Sequence, residues 1–495
     1  MAIIIGVDIG TTNIKLVAGD DKGEILLNQS CACPVMQLSD KKIEQDPELV
    51  LQSVNKLLKN AFAILPVSDI KGVCFSSAMH SIIAVDENAV PLTNAILWGD
   101  TRSEQQAAAI KAKIDEKAFY QEVAVPVHPS LPLCKIRWLK EEVPEAFNQA
   151  AKFISIKEYL FFKWFGKYII DHSIAAATGM QHIHNLQWSK TALDIAGITG
   201  DKLSEIVPVT HMETALDKKY IEEFGLQKSI PFIIGSSDGC FANIGSGVFE
   251  ENEATLTIGT SGAVRITLSQ PLLNEKPALF CYPVLKNLYV KGGAVNNGGN
   301  VLQWYAQNFA DSAEGDNYEA LVEKAATVQA GAEGLIFLPY LQGERAPVWN
   351  ALARGVFFGI NSLHNKMHFV RAVFEGIGFG LYDVFCEIAK SNKDINTIYV
   401  SGGFTKSDFW VQMISDIFNK KVIVSDVADA SAIGAIQLGM YATGLTKEIT
   451  HNKADAGDKI FEPVTEQHNT YNKQFEKFCA LYETLKQHFA LGQGL

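Results

Sequence analysis

The sequence contains no long uninterrupted hydrophobic run. No apolar stretch approaches the roughly 18 to 20 residues that a membrane-spanning helix requires. The first residues enter an apolar strand at once, without the basic region, long apolar core and small-residue cleavage site of a secretory signal. We therefore expect a cytoplasmic protein that does not have a membrane as a partner.

Basic residues are outnumbered, and they form no cluster along the chain. There are 43 Lys and Arg against 55 Asp and Glu, which gives a formal net charge of −12 at pH 7. A basic patch is the usual electrostatic signature of a protein that binds nucleic acid. The absence of such a patch argues against nucleic acid as a partner, and it means that an anionic ligand would need a local positive site.

The cysteines are few and scattered. Cys31 and Cys33 are the only close pair among the eight, and no second cysteine pair or histidine pair completes a zinc pattern. For a cytoplasmic protein we expect reduced thiols that serve packing.

Two common nucleotide-binding motifs are also missing. The chain has neither the GxxxxGK[ST] loop of P-loop proteins nor a GxGxxG loop of the kinase or dinucleotide-binding type. A nucleotide site in this protein must therefore be of another kind, and an NAD-dependent oxidoreductase is disfavoured.

Strand and helix patterns alternate along the 495 residues, which are enough for two or more domains. The segments IIIGVD, IKLVAG and EILLNQS predict three strands joined by tight turns. Asp46 and Pro47 then open a segment with apolar residues at helical spacing. This mixture predicts the α/β fold class.

The first turn has a counterpart about half a chain length later. Gly10–Thr12 separates two apolar strands, and Gly259–Ser261 does the same in EATLTIGTSGAVRIT. A repeat at this spacing suggests two similar lobes. Turns of this kind expose backbone N–H groups and hydroxyls that can hold an anion, so one turn from each lobe could grip a polyphosphate. The alternative is that both are plain hairpin turns.

Two carboxylates stand at strand ends. Asp8 precedes the first turn and suits a Mg²⁺ site, because Mg²⁺ prefers oxygen ligands and keeps several waters. The matching position in the second half is Thr257. Asp238 follows the apolar segment PFIIG and suits a general base that orients a substrate hydroxyl and accepts its proton. The alternatives are that Asp8 caps its turn and that Asp238 belongs to an Asp-Gly turn.

Two further loops, SSAMHS and LWGDTRS, carry polar and aromatic residues that suit a hydroxyl-rich ligand. The candidate substrate residues there are Met79, His80, Trp98, Asp100 and Arg102. Structural alternatives remain for each type: a core tryptophan, an arginine paired at a helix start, and a loop histidine bonded to the backbone.

Two longer segments carry a family resemblance. SLPLCKIRWLKEE, at 130–142, and GVFFGINSLHNKMHFVRAVFE, at 355–375, resemble the two signature patterns of the FGGY carbohydrate kinases. That family belongs to the actin/hexokinase/chaperone ATPase superfamily, and the resemblance covers nearly the whole chain. It implies two ribonuclease-H-like lobes with a cleft between them, at 1–245 and 246–495. Independently of the resemblance, apolar residues at helical spacing predict a closing helix at 471–489.

The resemblance also implies ATP and Mg²⁺ as cofactors. Asp238 stands where the family has its catalytic base, and Gly402 and Gly403 stand where it binds adenosine. The DIGTTNIK and IGTSGA segments correspond to the two phosphate motifs, which assigns phosphate binding to Thr11, Thr12, Asn13, Lys15, Gly259 and Thr260. Met79, His80, Trp98 and Asp100 stand where relatives hold the sugar, and Asp8 would help to position the metal.

Within the family, GGAVNNGGNVLQWY, LPYLQGERAPVWNALARGVFFGI and DHSIAAATGM are most similar to gluconate kinases. Phosphorylation of the terminal hydroxyl of an open-chain sugar acid, D-gluconate, is thus the expected activity. Xylulose kinases share much of this pattern and remain the alternative, and a non-catalytic chaperone-type ATPase is disfavoured by the sugar loops. A homodimer is compatible with the resemblance, which does not fix the oligomeric state.

An anionic substrate would want a cation or hydrogen-bond donors. Arg102, His80, His182 and His184 are candidates for that role. Asn296 and Asn297 could bond to sugar hydroxyls, although Asn-Gly is equally a turn signal.

Overall fold

The computed structural model describes residues 1–310, 318–392, 394–424, 429–449 and 458–492. The last two residues of the predicted strand KKVIVSD, Ser425 and Asp426, lie outside the described residues, as does the end of the second predicted lobe beyond residue 492.

The strands in the described part of the chain are β1 Ile3–Ile9, β2 Asn13–Asp20, β3 Ile25–Ala32, β4 Met36–Gln37, β5 Ile43–Gln45, β6 Ile70–Ser77, β7 Ile83–Val85, β8 Ala95–Ile96, β9 Lys152–Ile154, β10 Ile169–Asp171, β11 Glu205–Val207, β12 Met212–Glu213, β13 Phe232–Ser237, β14 Glu253–Ile258, β15 Gly262–Leu268, β16 Phe280–Leu285, β17 Leu288–Val295, β18 Ile336–Leu338, β19 Val356–Phe358, β20 Thr397–Ser401, β21 Lys421–Val424 and β22 Ile460–Phe461. The α-helices there are α1 Pro47–Ile64, α2 Glu104–Lys111, α3 Glu116–Val123, α4 Pro132–Glu142, α5 Pro144–Gln149, α6 Ile156–Phe165, α7 His172–Ala177, α8 Lys190–Ala196, α9 Lys218–Glu223, α10 Asp238–Gly245, α11 Gly299–Phe309, α12 Tyr318–Ala326, α13 Lys366–Ala389, α14 Asp408–Phe418, α15 Ala430–Ala442 and α16 Thr465–Leu485.

Two large mixed sheets share one topology. The first has the strand order β12-β13-β6-β1-β2-β3, and the second has the order β16-β17-β15-β14-β20-β21-β22. In each sheet a central strand, β1 or β14, pairs antiparallel with the strand that follows it and parallel with the strand on its other side. The expectation of two similar lobes in an α/β fold is confirmed by this repeated arrangement.

Both predicted turns join the central strand to its antiparallel neighbour. The first hairpin closes at the pair Ile9 and Ile14, and the second closes at the pair Ile258 and Gly262. Because β1 and β14 occupy the same place in their sheets, the two turns project from equivalent edges. The duplicated sequence pattern therefore reflects a duplicated structural position.

Helix α1 shows how the local sequence sets an element. The Asp46 side chain accepts a hydrogen bond of 2.8 Å from the backbone N–H of Glu48, and Pro47 occupies the first helical position. Val50, Val54 and Leu58 follow at helical spacing and are buried in the core of the first lobe. The predicted start of this helix is confirmed.

Three boundaries differ from the sequence-based expectation. The segment KIRWLKEEVPEAFNQA forms α4 and α5 rather than one helix, because Pro144 disfavours helical geometry at Val143. The last helix begins at Thr465, six residues before the predicted start. Asp238 does not lie in a loop: it is the first residue of α10, whose N-cap is Ser237.

Two helices connect the lobes. Helix α10 packs against α15, and α15 also lies on β1, β2 and β6 of the first sheet. The two helices approach so closely that a Cβ atom on Gly434 would lie 2.3 Å from the carbonyl oxygen of Phe241. The residue that opens α10 is consequently fixed by contacts from both halves of the chain.

All eight cysteines are free thiols, and five of them are buried. Within the described residues no helix has the length and hydropathy needed to cross a bilayer. The same residues contain no cluster of three or more His, Cys, Asp or Glu side chains that could hold a metal ion without other ligands.

Candidate active site

Two cavities meet at the second turn. The smaller has a volume of about 320 Å³ and the larger about 860 Å³, and Gly259 and Thr260 line both of them. The smaller cavity has walls from both lobes rather than from the first lobe alone. Its lining residues are Thr11, Met79, His80, Trp98, Val125, Ser130, Leu131, Asp238, Thr257, Gly259, Thr260, Ser261, Gly262, Ala263, Arg265, Phe280, Tyr282, Ala294, Arg345 and Trp349.

The structure thus brings many of the predicted site residues together. Those that line the smaller cavity are Thr11, Met79, His80, Trp98, Asp238, Gly259 and Thr260. They come from five separate segments of the chain, and their convergence makes this cavity the candidate active site.

Asp238 faces the cavity from the start of α10. Its Oδ1 atom accepts a 2.6 Å hydrogen bond from the backbone N–H of Gly239, and its carbonyl oxygen accepts one of 3.1 Å from the Ser431 hydroxyl. Burial raises the pKa of the Asp238 carboxyl, and the nearby positive charge of Arg265 opposes this rise. A desolvated carboxylate in this position is suited to accept a proton.

A buried network holds the strand that leads to Asp238. The Ser173 hydroxyl accepts hydrogen bonds from the backbone N–H of Ser237 and the hydroxyl of Ser236, each at 2.8 Å. Ser173 in turn donates to Asp171, whose other oxygen lies 2.7 Å from the Lys157 ammonium group. The DHSIAAATGM segment therefore supports Asp238 from behind rather than lining the cavity.

Asp8 lies at the end of β1, and its Oδ1 accepts a 2.6 Å hydrogen bond from the Ser76 hydroxyl. Burial and the negative charge of Asp238 raise the pKa of Asp8 to about 6. Two neighbouring carboxyls with raised pKa values form a site that a cation would stabilise.

The pKa of Asp8 predicts an acid limit on activity. If the ionised form of Asp8 is needed to attract a divalent cation, kcat/KM for MgATP should fall below about pH 6, roughly tenfold per pH unit. Excess Mg²⁺ should move this limb to lower pH, because the cation favours the ionised carboxylate. Initial rates from pH 5 to 8 at two Mg²⁺ concentrations measure both effects, and a flat profile would contradict the prediction.

The first turn is partly committed to internal contacts. The hydroxyl of Thr11 accepts a 3.0 Å hydrogen bond from the indole N–H of Trp98, while Thr12 and Asn13 are exposed at the tip. Lys15 forms an ion pair of 2.5 Å with Asp429, the N-cap residue of α15. In this conformation Lys15 ties the two lobes together, so its predicted contact with phosphate would require that pair to open.

The SSAMHS and LWGDTRS loops are joined by a buried lysine that sequence reasoning missed. The Lys135 ammonium group donates hydrogen bonds of 2.7 Å to the carbonyl oxygens of His80 and Leu97. His80 itself bonds through Nδ1 to the carbonyl oxygen of Ala177, at 2.7 Å. Burial and the charge of Lys135 lower the pKa of His80 to about 3, so this ring is neutral at physiological pH.

Asp100 and Arg102 do not line the cavity. The Arg102 guanidinium group lies 2.7 Å from Asp100 and 2.7 Å from Glu44, and it stacks 5.1 Å from the Trp138 ring. This arrangement corresponds to the structural alternative, an arginine paired close to a helix start. Neither residue enters our proposal for substrate binding.

The other candidates for carboxylate or hydroxyl recognition also lie elsewhere. His182 and His184 line neither cavity and contact each other, with ring centroids 5.8 Å apart. The side chain of Asn297 donates to Glu344 at 2.9 Å, and the oxygen of Asn296 accepts from Arg345 at 2.8 Å. Both asparagines thus position neighbouring side chains.

Two arginines in the smaller cavity were missed. Arg345 lies in the GERAPVW segment, and its guanidinium group stacks 4.8 Å from the centroid of the Trp98 ring. Arg265 follows the second turn on β15 and lies against the start of α10. The sequence feature that could have identified Arg265 is its position three residues after the GTSG turn, on the same strand face as Ala263.

The larger cavity extends from the second turn to the predicted adenosine segment. Gly403 lines it, together with Phe404. Gly402 has a φ of 110°, and a Cβ atom there would lie 2.2 Å from the carbonyl oxygen of Ile258. Only glycine permits this approach, which places the end of β20 beside the second turn.

Two protein-family models match the chain. The N-terminal domain of the FGGY family of carbohydrate kinases matches residues 3–245, and the C-terminal domain of the same family matches residues 254–443. Together they match most of the chain, one model in each half.

Curated relatives include sugar and sugar-acid kinases. The gluconokinase of Bacillus subtilis (strain 168) is 41% identical over 449 residues, covering 89% of this chain and 88% of the relative. A xylulose kinase of Staphylococcus epidermidis is 32% identical over 496 residues, covering 98% of this chain and 97% of the relative.

Solved structures agree over the whole molecule. A ligand-bound xylulose kinase from Lactobacillus acidophilus superposes with a TM-score of 0.93 at 34% identity and covers 99% of each chain. A gluconate kinase from the same organism superposes with a TM-score of 0.92 at 34% identity and covers 98% of each chain. The chain belongs to the FGGY family of carbohydrate kinases.

Proposed function

We propose that this enzyme transfers the γ-phosphoryl group of ATP to the terminal hydroxyl of D-gluconate and forms 6-phospho-D-gluconate. The observation that carries the proposal is the 41% identity to a gluconokinase over most of both chains, against 32% to a xylulose kinase. The two arginines of the smaller cavity support it, because a carboxylate-bearing substrate needs a local positive site in an acidic protein.

In this proposal the larger cavity holds the nucleoside of ATP, with Gly402 and Gly403 beside it. The phosphates run toward the smaller cavity past Gly259 and Thr260, the residues that line both cavities. Thr11, Thr12 and Asn13 approach from the first turn. The residue assignments, the lobe boundary near 245, a cytoplasmic location and a homodimer remain predictions.

The residues around Asp8 fit a magnesium ion. Asp8 has a raised pKa beside a second acid, Asp238, and only the Ser76 hydroxyl is hydrogen-bonded to its side chain within the described residues. One carboxylate is enough, since Mg²⁺ takes most of its ligands from phosphate oxygens and water. When bound there together with ATP, Mg²⁺ would neutralise part of the negative charge of the phosphates.

Asp238 then acts as the base. It orients the substrate hydroxyl and accepts its proton as the oxygen bonds to the γ-phosphorus, while the bond from that phosphorus to the β–γ bridging oxygen breaks and ADP leaves. Closure of the lobes over the cavity would exclude water, which otherwise competes with the sugar as acceptor.

The test is coupled measurement of ADP release with MgATP and a set of acceptors: gluconate, xylulose, ribulose and glycerol. We expect turnover with gluconate and little with the others. Turnover with a ketopentose alone would keep the kinase class and refute gluconate as the substrate. The xylulose kinase neighbour, with its TM-score of 0.93, makes phosphorylation of a ketopentose the second candidate function.

A further inference from the structure

The smaller cavity holds one arginine that has a buried hydrogen-bond donor without a partner among the described residues. The buried Nε atom of Arg265 has no hydrogen-bond partner among the described residues. The Asp238 carboxylate acts on the guanidinium group through its charge. A buried charged donor left unpaired is costly, and folded proteins rarely retain one. Arg265 is therefore best explained by a ligand group that completes its hydrogen bonds.

Arg345 is held differently. Its Nε donates to Asn296 at 2.8 Å, its Nη2 donates to the carbonyl oxygen of Val295 at 3.2 Å, and its plane lies over Trp98. Two of its five N–H donors are thus used within the protein, and its Nε is among them. Of the two arginines in the cavity, Arg265 is the one whose buried Nε atom has no hydrogen-bond partner among the described residues.

The charges around the cavity favour an anionic ligand. Arg265 and Arg345 line the cavity with one acid, Asp238, while Glu344 interacts with Arg345 from outside the lining. The His80 ring is neutral at physiological pH because burial lowers its pKa. Among the residues that line the cavity, basic side chains therefore outnumber acidic ones. A planar guanidinium group binds an oxyanion through two parallel hydrogen bonds, which a neutral hydroxyl cannot match.

Two oxyanions would come near this cavity in the proposed reaction, the carboxylate of the sugar acid and the γ-phosphate of ATP. Arg265 lines the smaller cavity and not the larger one, whereas the phosphate path follows the turn that lines both. Its strand face, which it shares with Ala263, forms the wall of the smaller cavity. The position of Arg265 favours the carboxylate.

We propose that Arg265 binds the carboxylate of the sugar acid and thereby selects a sugar acid over a neutral sugar. The inference rests on the proposed function, because it assigns the specificity of that same site. In this assignment Arg265 contacts only substrates that carry a carboxylate, whereas a residue such as Asp238 acts on every acceptor.

The experiment compares wild type with Arg265→Gln by titration calorimetry, using gluconate, D-glucitol and ADP as ligands. D-glucitol has the same carbon chain with an alcohol in place of the carboxylate. We expect the Kd for gluconate to rise on the order of a hundredfold, the scale of a charged hydrogen-bonded pair. The wild-type preference for gluconate over D-glucitol should fall by a similar factor, and Arg265→Lys should restore part of it.

Thermal unfolding without ligand distinguishes a binding role from a structural one. Arg265→Gln removes a buried donor that has no partner among the described residues and also removes the favourable charge interaction with Asp238, so the melting temperature should stay near that of wild type. The matched control is Arg371→Lys, at a buried arginine that bonds to Glu375 and Tyr471. That variant should lower the melting temperature and keep the affinity for gluconate.

An unchanged Kd for gluconate in Arg265→Gln would overturn the inference. So would a rise in the Kd for ADP or in the KM for ATP that exceeds the change for gluconate, since it would assign Arg265 to the phosphates. If the wild-type enzyme neither binds nor phosphorylates gluconate, the proposed function itself is refuted. That outcome is measured on the wild-type enzyme alone and so is distinct from a failure of the Arg265 assignment.

Discussion

Replacing Asp238 by Asn is expected to lower kcat by roughly two to four decades, the usual scale of general acid–base catalysis. The amide cannot accept the proton of the attacking hydroxyl, but it occupies the same volume and can still accept the hydrogen bond from the Gly239 N–H. Nucleotide affinity should change little, because Asp238 lines the smaller cavity and not the larger one. Single-turnover rates and the Kd for ADP measure the two quantities.

A control must account for the loss of a negative charge at a helix start. Asp238 is the first residue of α10, where a carboxylate interacts favourably with the helix dipole. Glu116 is likewise the first residue of α3, away from both cavities, so Glu116→Gln removes a comparable charge. That variant should retain turnover. Near-normal kcat in Asp238→Asn would refute the assignment of Asp238 as base.

Replacing Asp8 by Asn is expected to have two opposite effects. It removes the carboxylate assigned to the metal, and kcat/KM for MgATP should fall by roughly 10²–10³, the cost of losing one preorganised electrostatic contact in such a site. It also removes a buried charge that repels Asp238. The stability of the unliganded protein should therefore increase.

The stability effect of Asp8 has a defined dependence on pH. Because folding raises the pKa of this acid from 3.8 to about 6, its ionised form destabilises the fold above about pH 6, and the penalty disappears as the pH falls toward 4. The gain in Asp8→Asn should thus be seen at pH 7.5, at most about 3 kcal/mol, and vanish near pH 4. Denaturant unfolding at the two pH values measures it.

Two results would contradict this account of Asp8. A loss of stability at pH 7.5 would mean that the Ser76 hydrogen bond outweighs the cost of burying the charge and the repulsion from Asp238. Unchanged dependence of the rate on Mg²⁺ concentration in the variant would mean that the metal is held elsewhere. Ser76→Ala is the matched control, because it removes the hydrogen bond while keeping the carboxylate.

Much of the fold and part of the site could be predicted because they depend on short stretches of chain. A strand that ends in Asp8 and turns at Gly10–Thr12 is specified by local alternation and turn residues, and so is its counterpart at Gly259–Ser261. Recurrence of that pattern was enough to indicate two lobes. The position of Asp238 after a buried strand was also readable, although its helical conformation was not.

The pairing of charged side chains could not be predicted from the sequence in the same way. Arg102 looked available for a ligand, but the fold brings Glu44 to it from another segment. Lys15 looked like a phosphate contact, but Asp429 reaches it from the far half of the chain. Such partners are determined by which surfaces meet, and sequence spacing carries no information about them.

The sequence by itself thus determined the fold class, the two glycine-threonine turns, the two strand-end acids and the family, since each depends on local periodicity or on a contiguous motif. Only the tertiary structure decided which cations face the cavity. Arg265 and Arg345 lie 80 residues apart and meet there because β15 turns one face to α10 while the GERAPVW loop stacks on Trp98. The charge of the site results from the packing of these distant segments, and no single stretch of the chain contains the information that sets it.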